Sequence, residues 1–303
     1  VLGSIPNNAA RKNQDLGWHP AYKVAPEIKF RFGKKEIRYR FIPRKYIFAD
    51  VFLSEHAAGN LHNIKILILR RILRKPTILI GHGTNITSRQ NFLSTYLERI
   101  QLRLCTLYLA YTPESAIRAK KIGGESISTE IFFNSTDTKT LTQLVNSFRE
   151  ISNKQTSEKW KAIYLGSFHA SKNIEQLLSL CSRIYSTDHR FQITVCGEGD
   201  QEIFETMSSL SFVQVVGFKE SKDLAKLAAQ ANIMLTTGRI GLNATDSFAL
   251  RNPIVGLSKS VRHAPEFEYL NEANSLILPT LDEVFESVLR LMNSEEEIQK
   301  LKI

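Results

Sequence analysis

From Tyr46 to the carboxyl end, short apolar runs rich in Val, Ile, Leu and Phe alternate with amphipathic helical stretches, and this alternation restricts the chain more than any other feature. Such alternation builds βαβ units on a parallel sheet. In the first half YIFADVFL, PTILIGHG, TLYLAYT and ISTEIFF read as strands, and residues 57–74, 87–104 and 113–122 as helices, the last closed by Gly123-Gly124. The charged tract KFRFGKKEIRYRFIPRK over residues 29–45 reads as a ribbon or irregular strand. Between Asn134 and Trp160 the pattern is polar and helical, and the interdomain connection is placed there. The rhythm then restarts with strands KAIYLG, FQITVCG, FVQVVG, NIMLTT, PIVGL and SLILP. Helices at 172–185, 200–209, 221–230, 241–250, 265–270, 280–291 and 294–301 alternate with them. The expectation is two doubly wound α/β domains, 1–150 and 151–303, in line with about 150 residues per domain. The first half shows about four clear strands and opens on no Gly-rich turn, so its amino-terminal strand is either missing or disguised.

Charge is divided unevenly. Residues 1–155 hold 25 Lys or Arg and 11 Asp or Glu, whereas residues 156–303 hold 15 and 19. A basic first half beside a near-neutral second half points to an anionic partner for one domain, nucleic acid or an anionic membrane. No helix-turn-helix, RNP-like or zinc pattern appears, which disfavours nucleic acid. Helix LHNIKILILRRILRKP combines Ile64, Leu67, Ile68 and Ile72 with Lys65, Arg70, Arg71, Arg74 and Lys75. It reads either as a membrane-surface helix or as a sheet-covering helix with a solvated basic end. No apolar stretch reaches eighteen residues, so no membrane-spanning helix is expected. Cys105, Cys181 and Cys196 have no CxxC or metal spacing and are expected to be reduced, buried thiols of a cytoplasmic protein.

In doubly wound sheets ligands sit at the carboxyl ends of strands, so the loops after Gly81, Gly166, Gly197, Gly217 and Thr237 are the places to look. In YLGSFHASKN a strand ends at Gly166 and a polar loop delivers Lys172 to a helix start, either as a diphosphate cradle or as a solvated lysine. Gly197 and Gly199 in VCGEGDQ mark a tight turn and lack the full dinucleotide fingerprint. Asp246, in the small apolar helix of GRIGLNATDSFALRNP, suits a carboxylate accepting from ribose hydroxyls, or a helix-surface acid. In SKSVRHAPEFEYL, Pro265 opens a helix, and Arg262, His263 and Glu266 are polar candidates beside the reading of a simple capped helix. In LIGHGTN, His82 follows a strand between two glycines that let a ligand approach. The other histidines, His169 included, show no triad or metal spacing.

These loops, in this order, resemble the retaining GT-B glycosyltransferases of family 4, from about Ile78 to Leu301, with a bacterial surface-polysaccharide branch closer still. GSFHASKN is similar to the family's donor-phosphate loop: Lys172 matches its lysine, and Ser167 stands where an arginine is usual. FFNSTDT is similar to its interdomain turn, with Asn134 and Asp137 matching. The Asp246 helix is similar to the second half of its paired-glutamate motif, and Gly238 takes the first glutamate position. The branch pairs a His-Gly loop like GHGTN with GL…DSF…P and H.PE..YL.

The resemblance implies two Rossmann-like domains facing across a cleft, an amino-terminal acceptor domain and a carboxy-terminal donor domain. It implies transfer of a sugar, with retention and without an enzymatic nucleophile, from a nucleoside diphosphate sugar to a glycan or lipid-linked acceptor. Lys172 would stabilise the departing diphosphate. Gly166, Gly197, Gly217, Phe218, Gly241, Leu242, Asp246 and Glu266 would line the donor, and His82, Gly83, Asn85 and Asn134 the sugar or acceptor side. No Asp-x-Asp pair is present to hold a metal, and no cofactor is expected. The protein would work in the cytoplasm, peripherally on the inner face of the membrane. A sugar-nucleotide epimerase on the same scaffold and a non-catalytic binding subunit are the alternatives.

Overall fold

The computed structural model describes residues 2–3, 23–24, 26–32, 35–83, 92–152, 159–168, 172–258 and 262–301. The chain divides into two compact units, Val1–Phe133 and Asn134–Ile303.

The first unit opens with a parallel pair, β1 (Leu2–Gly3) and β2 (Lys23–Val24), and an antiparallel ribbon, β3 (Glu27–Phe32) and β4 (Lys35–Arg40). The ribbon accounts for the charged tract. Helix α1 (Arg44–Ile47), β5 (Phe52–Glu55), α2 (Leu61–Ile72), β6 (Thr77–Gly81), α3 (Phe92–Leu104), β7 (Leu107–Ala110), α4 (Pro113–Gly123) and β8 (Thr129–Ile131) follow. Strands β5, β6, β7 and β8 form a parallel sheet in that order. Leu79 and Tyr108 from the sheet, Leu67 from α2, Leu102 from α3 and Ala119 from α4 make its core. Helix α4 starts at Thr112, whose hydroxyl accepts from the Ser115 amide at 3.3 Å, and ends at Gly124.

Two expectations change here. YIFADVFL is a short helix and a later strand rather than one strand, and the cause is Arg70. Its buried guanidinium donates to the carbonyls of Ile47 (2.5 Å), Ala49 (2.9 Å), Asp50 (3.1 Å) and Pro76 (2.6 Å), gathering the backbone between α1 and β5 into a turn. Arg70 is therefore not part of a basic surface, and Leu67, 1% exposed, faces the core. The row that α2 leaves uncovered is Leu61, Lys65, Ile68 and Ile72, on one helical face, with Arg71 and Arg74 also exposed.

The second unit opens with α5 (Thr138–Ser152), followed by β9 (Trp160–Leu165), α6 (Ile174–Thr187), β10 (Phe191–Cys196), α7 (Gln201–Ser208), β11 (Val213–Val215), α8 (Ser221–Ala229), β12 (Ile233–Thr236), α9 (Asn243–Leu250) and β13 (Ile254–Leu257). A 3-10 turn at Pro265–Tyr269, β14 (Ser275–Leu278), α10 (Leu281–Met292) and α11 (Glu295–Lys300) complete it. The sheet is parallel throughout, in the order β11-β10-β9-β12-β13-β14. Alternate residues feed two cores. Ala162, Tyr164, Ile193 and Leu235 face α6 and α10, whereas Ile163, Met234 and Ile254 face the other layer.

Leu141 and Val145 of α5 pack into that second layer with Ala225 and Ala228 of α8. Helix α5, which spans residue 150, thus belongs to the second unit, and the division falls at 133/134 where 150/151 was expected. Among the described residues no helix is long and apolar enough to cross a membrane.

Candidate functional site

The strand order of the second unit reverses between β9 and β12: β10 and β11 lie to one side, β13 and β14 to the other. Loops leaving the carboxyl ends of such a pair diverge and open a crevice. Lys172 and Gly238 stand in those two loops.

The loops after β9, β10 and β11 are stitched edge to edge. Gly166 N donates to Cys196 O at 3.1 Å, Phe168 N to Glu198 O at 2.9 Å, and Gly197 N to Gly217 O at 3.0 Å. A Cβ on Gly197 would overlap the Gly166 carbonyl, so glycine there is a packing requirement. Gly217 has φ +68°, in the left-handed region. Phe218 beside it is exposed, as is Leu242 at the start of α9.

The β9 and β12 loops are joined as tightly. Lys172 Nζ donates to the Arg239 carbonyl at 2.7 Å, and Thr237 Oγ1 donates to Asn173 O at 2.9 Å. A Cβ on Gly238 would overlap three backbone atoms of Lys172. The position therefore has no room for any side chain. Burial, reinforced by the charge of Arg239, pulls the Lys172 ammonium below its ordinary pKa.

Asp246 is in the first turn of α9 and half-buried. Burial raises its pKa, and the hydroxyl of Thr136, donating to Oδ1 at 2.9 Å, works in the opposite direction. Glu266 is buried and accepts from Asn134 Nδ2 at 2.5 Å, while Tyr269 OH donates to the Asn134 carbonyl at 3.3 Å. Asn134 and Thr136, at the entrance to the second unit, are thus held by the two acids expected to bind donor. The Tyr269 hydroxyl is pushed up to about 12 by burial and the neighbouring Glu266 and Glu268. Asp137 has a local role: its carboxylate accepts from the Thr140 amide and hydroxyl at 3.3 and 2.9 Å, capping α5.

His263 is a backbone clamp. Its Nδ1 accepts from Ile240 N at 3.1 Å, which leaves the proton on Nε2 for the Ser258 carbonyl at 3.2 Å, and its ring stacks on Phe267 at 4.0 Å. Burial, joined by the charges of Arg239 and Lys172, lowers its pKa, and the hydrogen bonds to the Ser258 and Leu257 backbone work in the opposite direction. Arg262 is exposed.

In the first unit His82 follows β6, half-buried, with its ring edge-on to Tyr111 at 4.3 Å. Gly83, at φ +80°, donates its amide to Tyr108 OH at 2.6 Å, and a Cβ there would overlap the Ser115 carbonyl. Asn85 and His169 lie outside the described residues. Beneath this loop His56 is buried, its Nε2 3.3 Å from Glu98 O, and burial lowers its pKa to about 4.

Arg239, Thr136 and Tyr269 were not singled out from sequence. Arg239 lies within a Gly-rich stretch, and the hydroxyls of the other two bond Asp246 and Asn134 more than a hundred residues away. Among the described residues no group of three or more His, Cys, Asp or Glu is placed to hold a metal ion.

Residues 147–302 match the family described as glycosyl transferases group 1. No protein of curated function matches the sequence. In structure the chain is similar to HepE of Anabaena, solved in complex with UDP, at TM-score 0.64 and 13% identity over 85% of this chain and 73% of that one. It is also similar to the sucrose-phosphate synthase of Thermosynechococcus elongatus, at TM-score 0.60 and 15% identity over 83% and 66%. The pneumococcal O-GlcNAc transferase GtfA, solved with UDP and GlcNAc, gives 0.57 and 13% over 82% and 51%. At such identities the likeness establishes the fold, that of GT-B glycosyltransferases.

Proposed function

The chain belongs to the glycosyl transferases group 1 family, and from that premise we propose that it moves a sugar, with retention and without a metal ion, from a nucleoside diphosphate sugar to a glycan or lipid-linked acceptor in surface-polysaccharide synthesis. The observation that carries the reading is the Lys172 loop, locked by Gly238 against the β12 loop at the point where the strand order reverses.

A departing diphosphate gains negative charge as the glycosidic bond breaks. A lysine already positioned and partly dehydrated stabilises that charge with little reorganisation. Asp246 offers its carboxylate to ribose hydroxyls, which take up or share the bond now made by Thr136. His82 and Gly83 are the residues assigned to the sugar or acceptor side. Retention by front-face attack requires no enzymatic nucleophile, and none is assigned. HepE was also solved with UDP-glucose, which makes uridine donors the first to test.

A membrane-associated acceptor is favoured by the uncovered row Leu61, Ile68 and Ile72 on α2, flanked by Lys65, Arg71 and Arg74. On this reading the work is done peripherally at the cytoplasmic membrane face.

The test is incubation of the purified chain with a panel of UDP-, GDP- and ADP-sugars and a bacterial lipid extract, read by mass spectrometry. The expected result is one hexose-sized mass increment on an acceptor with release of nucleoside diphosphate. Conversion of the donor to an isomer without acceptor would overturn the proposal in favour of an epimerase.

A further inference from the structure

A diphosphate carries more than one negative charge, yet among the described residues of the β9 loop only Lys172 is cationic: Gly166, Ser167 and Phe168 bring none. The neighbouring loop brings another. Arg239 follows Gly238, and the absence of a side chain at 238 lets the two loops touch backbone to backbone. The Arg239 carbonyl holds Lys172 Nζ at 2.7 Å. The charge of the guanidinium disfavours the charged forms of both Lys172 and His263. Among the described residues neither Lys172 nor Arg239 forms an ion pair with a carboxylate. Two like charges brought together by loop packing, with no acid between them, repel unless an anion joins them.

We propose that Arg239 is the second cation of the donor site, binding phosphate oxygens of the nucleoside diphosphate together with Lys172. The inference rests on the donor reading above and adds to it a residue from the β12 loop. Lys172 Nζ is held on the Arg239 carbonyl. The incoming diphosphate draws Nζ away and is held between the two side chains.

The experiment is calorimetric titration of the wild-type chain, Arg239→Gln and Arg239→Lys with UDP, GDP, ADP and uridine at several salt concentrations. Loss of one charge-assisted contact is expected to weaken the best-bound diphosphate about tenfold or more. Its salt dependence becomes shallower, uridine binding is unchanged, and Arg239→Lys recovers most of the loss. Equal diphosphate affinity in wild type and Arg239→Gln overturns the inference while leaving the donor reading intact. So does a parallel loss of uridine and diphosphate binding, which signals a disturbed fold. A loss confined to donors with an acidic sugar also overturns it, because Arg239 would then read the sugar. A wild-type chain that binds none of the three diphosphates overturns the donor reading and the inference together.

Discussion

Gly238→Ala adds one methyl group at the position where the β12 loop rests on Lys172. An ideal Cβ there overlaps the Lys172 carbonyl oxygen, carbonyl carbon and Cα, all backbone atoms that cannot swing aside like a side-chain tip. Either the Lys172 loop or the β12 loop must move. Forcing an extra carbon into a packed site costs about 1–3 kcal/mol. A domain of this size loses about 2–4 °C per kcal/mol, so the second unit should melt about 2–12 °C lower by scanning calorimetry. The displaced lysine should weaken nucleoside diphosphate binding in the same sample. Gly217→Ala is the control: its Cβ meets nothing within 4 Å, and only the left-handed backbone cost of about 1–2 kcal/mol remains. Gly238→Glu, which installs an acid at this position, is expected to lose affinity too. Wild-type melting and wild-type diphosphate affinity in Gly238→Ala would refute the reasoning, and a gain of donor affinity in Gly238→Glu would do so more forcefully.

His56 is buried with its pKa lowered to about 4, against 6.5 for an exposed imidazole. The unfolded chain therefore binds the extra proton first: stability of the first unit is full above about pH 6.5 and falls by up to about 3 kcal/mol as pH approaches 4. In His56→Gln that acid-side slope should be shallower in urea titrations; an unchanged slope would contradict the assignment. Arg70→Met leaves carbonyls of Ile47, Ala49, Asp50 and Pro76 without their donor and should cost more than about 3 kcal/mol in a denaturant melt. Lys65→Gln and Arg71→Gln should melt as wild type yet each bind anionic vesicles about fivefold more weakly, at about 1 kcal/mol per basic residue. Equal binding to neutral and anionic vesicles would remove the membrane reading.

Most of the architecture was legible because a parallel sheet buries its strands on both faces. IMLT in β12 and IVGL in β13 are therefore continuous apolar runs that periodicity locates directly. The position of the Lys172 loop, between the end of β9 and the start of α6, was legible for a related reason. Arg70 shows where reading stopped. In sequence it is one of several basic residues on an amphipathic helix, and only packing shows that it is the one turned inward. It also explains why YIFADVFL breaks into a helix and a strand. The unit boundary was displaced because α5 looks polar along the chain, while Leu141 and Val145 meet α8 only in three dimensions. Asp246 and Glu266 could be chosen from their neighbours in sequence, but Thr136 and Asn134, which occupy them, arrive from more than a hundred residues away.

Lys172, where the β9 and β12 loops meet at the reversal of strand order, is the group proposed to grip a nucleoside diphosphate. Titration of wild type and Lys172→Ala with UDP, GDP and ADP measures that grip most directly. The account predicts micromolar-range or tighter binding of one diphosphate by wild type and roughly 10- to 100-fold weaker binding by the variant, with its melting temperature retained. Identical affinities in the two proteins would contradict it.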